Sequence, residues 1–439
     1  MVRFADIKGI AKTTAILIAV IVIIIAAVGV YLSYSLLAPS APEFKIAVVS
    51  DVGGRGDLSF NDMAFKGGEE AVEDFNVNMS EIISSVEADY VPNLELGAKD
   101  PDVKLIVGVG YLLSIALADV AGRYPDKNFV GIDTYAQSLV PAEKYPLPNL
   151  MDISYEEHKG SALVGALGTL LAAYYEKPCI GVVLGMEIAV LWKFEIGYKW
   201  GCDWAINWTA TNHPDLDIGI VATPRKERVL WTYTGTFSDI TKGYQAAVPM
   251  YEQDAVAVYN VAGPLGIGIN QAVEAVATEH GYESGPPFWI GVDANQDWLN
   301  PGFVIASMMK RVDWGVYYAT ELVHDGTFRD VVADTNGAIT LGIGTEVAGV
   351  LKEGISVSTL DDLDEFIAMG ERAEELTGTE VLPMEPEQIR TKVEDMRDAQ
   401  PSWIWDAVAE LEEAIRTGAV EVPLAMTQDA VDYWRGVLG

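Results

Sequence analysis

Residues 44–68, FKIAVVSDVGGRGDLSFNDMAFKGG, decide how this chain is read. Phe44 to Ser50 is an apolar run rich in β-branched residues, the composition of a strand buried in a parallel sheet. Asp51 stands where that strand ends. A Gly-containing loop follows, and Asp57-Leu58-Ser59 reads as the start of a helix that carries Phe60, Asn61, Phe65 and Gly67. In an open α/β sheet the ligand crevice lies at the carboxyl ends of the strands. Asp51 and Phe60 therefore face one crevice, where the carboxylate can accept hydrogen bonds from a ligand and the ring can stack on it.

The same alternation continues along the chain. Strand candidates fall at 44–50, 104–109, 128–132, 149–154, 179–184, 217–222, 255–260, 288–292 and 303–308, with helical segments between them. This βαβ rhythm predicts an α/β doubly wound fold. A span of some 300 residues exceeds one ordinary sheet of that kind, so it reads as two Rossmann-like lobes with a hinge and a cleft between them; a (β/α)₈ barrel shares the rhythm and is the structural rival. The first lobe is expected to hold 44–150 plus 298–325, and the second 155–292 plus 326–439. Crossings near 150–156, 293–298 and 326–345 would form the hinge. Beyond 350 the chain is acidic and helical, and 365–400 and 424–439 carry no recognisable function.

Ahead of the lobes, residues 1–43 read as an anchor and linker. Thr13–Leu37 runs without a charge, long enough for the ~20 apolar residues that cross a bilayer as a helix. Arg3, Lys8 and Lys12 precede it, which places the N-terminus inside and the remaining chain outside the cell. The expected setting is thus the cell membrane, single-pass, with the binding domain extracellular. The formal net charge of −35 excludes nucleic acid as a partner, because phosphate binding needs a basic surface. With two cysteines, Cys179 and Cys202, outside any C-x-x-C pair, and four histidines, neither a metal site nor a cofactor is expected. The two cysteines either form a disulfide or stand as buried thiols.

Further candidates for chemistry lie at strand ends. Gly108-Val109-Gly110-Tyr111 turns from a strand into a helix, and Asp133 ends the strand Phe129–Ile132, as a ligand carboxylate or as a helix cap. Thr234-Gly235-Thr236-Phe237 ends a strand in the second lobe, and Phe237 there matches the post-strand position of Phe60. Each ring either packs in the core or joins the other in a clamp for a flat ligand ring. Val261-Ala262-Gly263-Pro264-Leu265-Gly266 lets backbone approach a ligand closely, but no Lys-Ser or Lys-Thr follows, so it is no phosphate loop. Asp293 is a further strand-end carboxylate, suited to a vicinal diol such as that of ribose. Lys310 follows a strand; it either donates to sugar oxygens, pairs with Asp293, or sits on the surface. His158 has no nucleophile motif beside it and reads as a hinge or packing residue.

Taken in order, these motifs resemble the BMP (basic membrane protein), PnrA-like family of substrate-binding proteins that serve nucleoside ABC importers. The resemblance rests on Asp51-x-Gly53 with Asp57-x-Ser59-Phe60-Asn61, the turn at Gly108–Tyr111, Glu157-His158-x-Gly160-Ser161, Gly185-Met186 with Phe194-Glu195-x-Gly197-Tyr198, Gly235-Thr236-Phe237 with Lys242-Gly243, Gly291-Val292-Asp293 and Ser307–Asp313. It covers about 44–350 plus a closing helix and strand ending at Pro423. The chain departs from the family in one extra residue before Asp57, in Pro264, and in having no cysteine directly after the apolar run 13–37 for a lipid anchor. The resemblance implies a type I periplasmic-binding-protein fold, and a purine nucleoside held in the cleft for delivery to an ABC permease. It implies that Phe60 and Phe237 sandwich the base and Asp133 hydrogen-bonds it. Asp293, Lys310 and backbone at Gly263 would hold the ribose, with Asp51 and Asn61 lining the pocket. The expected function is therefore binding without catalysis. The alternative is a receptor of the same fold for a sugar or signalling molecule that feeds a sensor. An enzyme such as a nucleoside hydrolase would need clustered aspartates, whereas these carboxylates stand on separate strand ends.

Overall fold

The computed structural model describes residues 42–439 apart from 217, 348 and 349. In chain order the first half runs β1 (Lys45–Val49), α1 (Phe60–Phe75), β2 (Asn78–Ile82), α2 (Tyr90–Lys99), β3 (Val103–Val109), α3 (Ser114–Arg123), β4 (Asn128–Ile132), β5 (Leu150–Tyr155) and α4 (Glu157–Tyr174). It continues with β6 (Cys179–Leu184), α5 (Ala189–Asn212), β7 (Val229–Tyr233), α6 (Ile240–Glu252), β8 (Ala255–Val261), α7 (Leu265–His280), β9 (Phe288–Asp293) and β10 (Val304–Lys310). Then come α8 (Val312–His324), α9 (Phe328–Asp334), β11 (Ala338–Leu341), β12 (Thr345–Val347), β13 (Val350–Lys352) and β14 (Ile355–Val357). Four helices close the chain: α10 (Leu363–Thr377), α11 (Pro386–Asp398), α12 (Ser402–Arg416) and α13 (Gln428–Leu438).

Two open six-stranded sheets result, ordered β11-β5-β4-β3-β1-β2 and β14-β10-β9-β8-β6-β7. All pairings are parallel except β10 with β14, and β12 pairs with β13 in a separate antiparallel ribbon. Two open sheets are incompatible with the barrel alternative. The strands that run as largely apolar segments, such as β6 (CIGVVL) and β8 (AVAVYNV), are buried throughout because helices cover both faces. The edge strands β2 (NMSEI) and β7 (VLWTY) are partly exposed, and the apolar pattern did not reveal them, nor the short strands β11 to β14. The strand expected at 217–222 is instead a 3₁₀ turn at Gly219–Val221. Gly219 takes φ +60 there, against the backbone of Glu176, a conformation closed to a strand residue.

Residues 298–325, expected in the first lobe, divide between the two. β10 pairs with β9 in the second sheet, while α8 packs on α1 of the first lobe. That contact needs Gly67: a Cβ there would fall 2.0 Å from the Asp313 carbonyl oxygen. Conversely β11, expected in the second lobe, pairs with β5. The chain therefore crosses between lobes after β5, after β10, and between β11 and β14, rather than at 293–298. The crossings are tied together: Glu156 N donates to Leu341 O at 2.9 Å, Arg311 N to Gly354 O at 3.0 Å, and the Tyr155 hydroxyl to Arg311 O at 3.1 Å.

The C-terminal helices are built onto the second sheet. Arg397 on α11 reaches Asp297 at 2.6 Å, in the β9–β10 connection, and α13 lies on α5, where Arg435 grips Glu195 and Glu187. Cys179 and Cys202 are unpaired and buried, and burial pushes their thiols up to about 11 and about 12. The expected membrane span at 13–37 lies outside the described residues. Among the described residues no helix is long and apolar enough to cross a membrane.

Candidate ligand-binding cleft

The carboxyl ends of the two sheets face each other across a cleft that, with the solvent at its mouth, encloses about 620 Å³. All eight expected site residues line it: Asp51, Phe60, Asn61, Asp133, Phe237, Gly263, Asp293 and Lys310. The lobes touch beside it, where the Ser59 hydroxyl donates to Val292 O at 2.9 Å and Gln296 Nε2 to Leu58 O at 3.1 Å.

Strand order explains how residues so far apart in sequence converge. β4 and β9 hold the same place in their sheets, next to β3 and β8 respectively. Asp133 follows the first and Asp293 ends the second, both in left-handed backbone at φ 58 and φ 65. Asp tolerates that region better than most residues, and such backbone concentrates at functional sites. Phe60 and Phe237 are not equivalent in this sense. Phe60 opens the helix after β1, one strand in from the edge of its sheet, whereas Phe237 follows the edge strand β7. Both rings nevertheless reach the cleft, half-buried, from opposite lobes.

The loop that opens α1 is held by its own carboxylates. Asp51 Oδ1 accepts from Gly53 N and from Asn61 Nδ2, each at 2.9 Å. Asp57 caps the helix, accepting from the backbone of Ser59, Asn61 and Asp62. Gly110, at φ +110, brings the next loop against this one; a Cβ would sit 2.9 Å from Asp51 Oδ2. Three buried oxygens, Asn61 Oδ1, Asp133 Oδ1 and Asp293 Oδ1, have no hydrogen-bond partner among the described residues. A buried acceptor without a donor is costly, so these atoms are where a donor-rich ligand gains most.

Lys310 is fully buried and meets Asp133 at 2.6 Å and Glu157 at 2.9 Å, rather than Asp293 or the surface. Glu157 also pairs with Lys193, which donates to the Tyr135 hydroxyl at 3.0 Å. Two ammonium groups thus serve two carboxylates, Asp133 and Glu157, while Asp293 nearby pairs with neither. Burial alone would raise Glu157, but Lys193 and Lys310 together hold it down at about 2. The surplus negative charge falls on the others, and burial pushes Asp133 up to about 7 and Asp293 to about 6. Asp57, buried beside Asp62, rises to about 8.

A carboxyl whose pKa is higher in the folded than in the unfolded chain binds its proton preferentially when folded. Its contribution to stability is complete below the unfolded value, about 4, and is lost as the pH rises through the folded value. The window here runs through about 6, 7 and 8 for Asp293, Asp133 and Asp57. The ligand-free protein is therefore expected to melt at a higher temperature near pH 5 than near pH 8. Calorimetric scans across that range check it, with Asp293→Asn expected to flatten the step near pH 6; a wild-type melting temperature that rises with pH would refute the assignment.

Tyr111 and Phe194, which the sequence placed within motifs without a ligand role, line the wall with Leu191, which it did not single out; Glu157, also within a motif, and Lys193 lie behind it. Lys193 carries a usable signal, a lysine within the largely apolar run Ala189–Phe194. His158 is buried in α4 outside the cleft lining, and burial, with Lys193 nearby, lowers it to about 4.

Two lobes of parallel sheet, three crossings and a polar cleft between facing strand ends define a two-lobe α/β protein of the periplasmic-binding-protein class. The pattern of the Bmp family, described as PnrA-like substrate-binding proteins of ABC transporters, matches residues 44–207 and 208–370. The chain belongs to that family. It is 34% identical over 382 residues to a lipoprotein of Pyrococcus abyssi, covering 87% of this chain and 84% of that one. It is 26% identical over 339 residues to the ABC transporter nucleoside-binding protein BmpA of Lactococcus lactis, covering 73% and 88%. Among solved structures, a solute-binding protein of an ABC transporter system from Aeropyrum pernix K1 superimposes with a TM-score of 0.74 at 30% identity, covering 89% of this chain and 96% of that one. The family's role is to bind a transporter's substrate, not to transform it.

Proposed function

We propose that this protein captures purine nucleosides in the interlobe cleft and presents them to an ABC permease at the outer face of the cell membrane, tethered by residues 13–37. One observation carries the reading: two phenylalanines and three unpartnered buried acceptors line a single cleft between lobes. Phe60 and Phe237 would stack on the two faces of the base. Asp133 would accept from the base, Asp293 from the ribose hydroxyls, and Asn61 from either. Lys310 is spoken for by Asp133 and Glu157, so its part is to compensate charge and support Phe60, whose ring it faces at 5.1 Å. The nucleoside-binding relative and the lipoprotein relatives support this reading.

Calorimetric titration of the compact unit 44–439 with adenosine, guanosine, inosine, cytidine and ribose tests it. Purine nucleosides are expected to bind most tightly and to be recovered intact. Phe60→Ala and Phe237→Ala are each expected to weaken them by roughly 10- to 100-fold, the ~1–3 kcal/mol of a base–aromatic stack. Heat from ribose alone, equal to that from adenosine, would move the assignment to a sugar receptor of the same fold.

A further inference from the structure

Glu157 opens α4 directly after the first lobe crossing and is fully buried. Its two carboxylate oxygens hold different ammonium groups: Oε1 lies 2.9 Å from Lys310 Nζ, and Oε2 pairs with Lys193. Lys193 is fixed in turn, donating to the Tyr155 carbonyl at 2.8 Å and the Tyr135 hydroxyl at 3.0 Å. Lys310 is drawn to Asp133 at 2.6 Å. Asp293 stands on the adjacent strand, in register with Met309, one residue from Lys310. A lysine ammonium is a point charge on a flexible stem, so its partner is set by what surrounds it. Here it makes no ion pair with Asp293, whose Oδ1 has no partner among the described residues.

We propose that Glu157 is a positioning residue for the cleft: through Oε1 it holds Lys310 on Asp133 and off Asp293, so that Asp293 keeps a free carboxylate oxygen for the ligand's hydroxyl donors. The proposal rests on the nucleoside reading above and gives a role to a buried carboxylate outside the cleft lining. Its chemical consequence is a preference for compounds with a vicinal diol over the same compounds without one. Were Lys310 on Asp293, the diol would meet a carboxylate already engaged by a donor. Removing the Glu157 charge frees Lys310 to move there. Removing the Lys193 charge leaves Glu157 with Lys310 as its ammonium partner, and the hold on Lys310 tightens. The two changes therefore act in opposite directions, which mere loss of packing would not produce.

The test is titration of the full-length chain with adenosine and with 2′,3′-dideoxyadenosine. Wild type is expected to prefer adenosine by about 100-fold, the worth of two hydrogen bonds to a charged acceptor. In Glu157→Gln that preference is expected to fall below about tenfold, almost wholly through weaker adenosine binding. In Lys193→Gln it is expected to stay at or above the wild-type value. Equal weakening of both ligands in Glu157→Gln, or an unchanged preference, would overturn the proposal. If Glu157→Gln is recovered only as aggregate, Lys193→Gln decides: a collapsed preference there overturns the proposal and a retained one supports it. A wild-type chain that binds both compounds equally overturns it too while leaving base recognition standing. A chain that binds neither removes the nucleoside reading as well.

Discussion

Asp293→Ala is expected to weaken binding of a ribonucleoside by about two to four orders of magnitude and, in the same protein, to raise the melting temperature of the ligand-free state. Both effects come from one feature. The carboxyl group is buried at the end of β9, Oδ1 has no donor among the described residues, and burial pushes its pKa up to about 6. At neutral pH it is therefore a charge kept out of water with incomplete compensation, which costs the ligand-free protein stability. A vicinal diol supplies two donors, and hydrogen bonds to a charged group are worth about 1.5–3 kcal/mol each. Truncation to Ala forfeits both bonds and also removes the buried charge. A residue that only packs would lower affinity and stability together, so the opposite signs are the diagnostic. Titration calorimetry with adenosine and scanning calorimetry of the ligand-free variant, both near pH 7.5, read them; wild-type affinity in the variant would take the diol away from Asp293.

The sequence carried the lobes and the cleft further than it carried their connections. Strand-end residues were legible because a buried parallel strand is a continuous apolar run, so its last residue can be read from the change in composition. Asp51, Asp133, Asp293 and Lys310 all stand at such ends, and all reach the cleft. Edge strands lack that signature. β2, β7 and β11 are partly exposed and mix polar with apolar residues, so none of them falls in an expected span, and the strand expected at 217–222 is an apolar turn. Which lobe β10 and β11 join was not legible, because strand pairing is a tertiary property and local pattern holds no record of it. The same limit hid the partners of Lys310. Asp133 and Glu157 are 177 and 153 residues away in sequence, and only the folded chain shows that they, and not Asp293, hold its ammonium.

Arg397→Met is expected to destabilise the protein by about 3–5 kcal/mol, because it strips a buried carboxylate of its counter-charge while leaving the carboxylate in place. Arg397 Nη2 lies 2.6 Å from Asp297 Oδ2 and also donates to Ser358, at 2.9 Å to the hydroxyl and 3.1 Å to the carbonyl. Asp297 accepts in addition from the Ser307 hydroxyl at 2.8 Å and the Ser358 hydroxyl at 2.9 Å. One side chain on α11 thus joins the β9–β10 connection, β10 and the residue after β14. This gives the acidic helical segment, functionless by sequence, a structural task at the foot of the cleft: Gln296, next to Asp297, makes the interlobe bond to Leu58 O. The test is a pair of denaturant titrations. If the cost is an orphaned charge, Asp297→Asn in the Arg397→Met background should recover most of the loss, since Asn keeps an acceptor for the two serines and carries no charge to bury. If the double variant is no more stable than Arg397→Met alone, the guanidinium acts through packing of α11, and the ion pair is incidental to it.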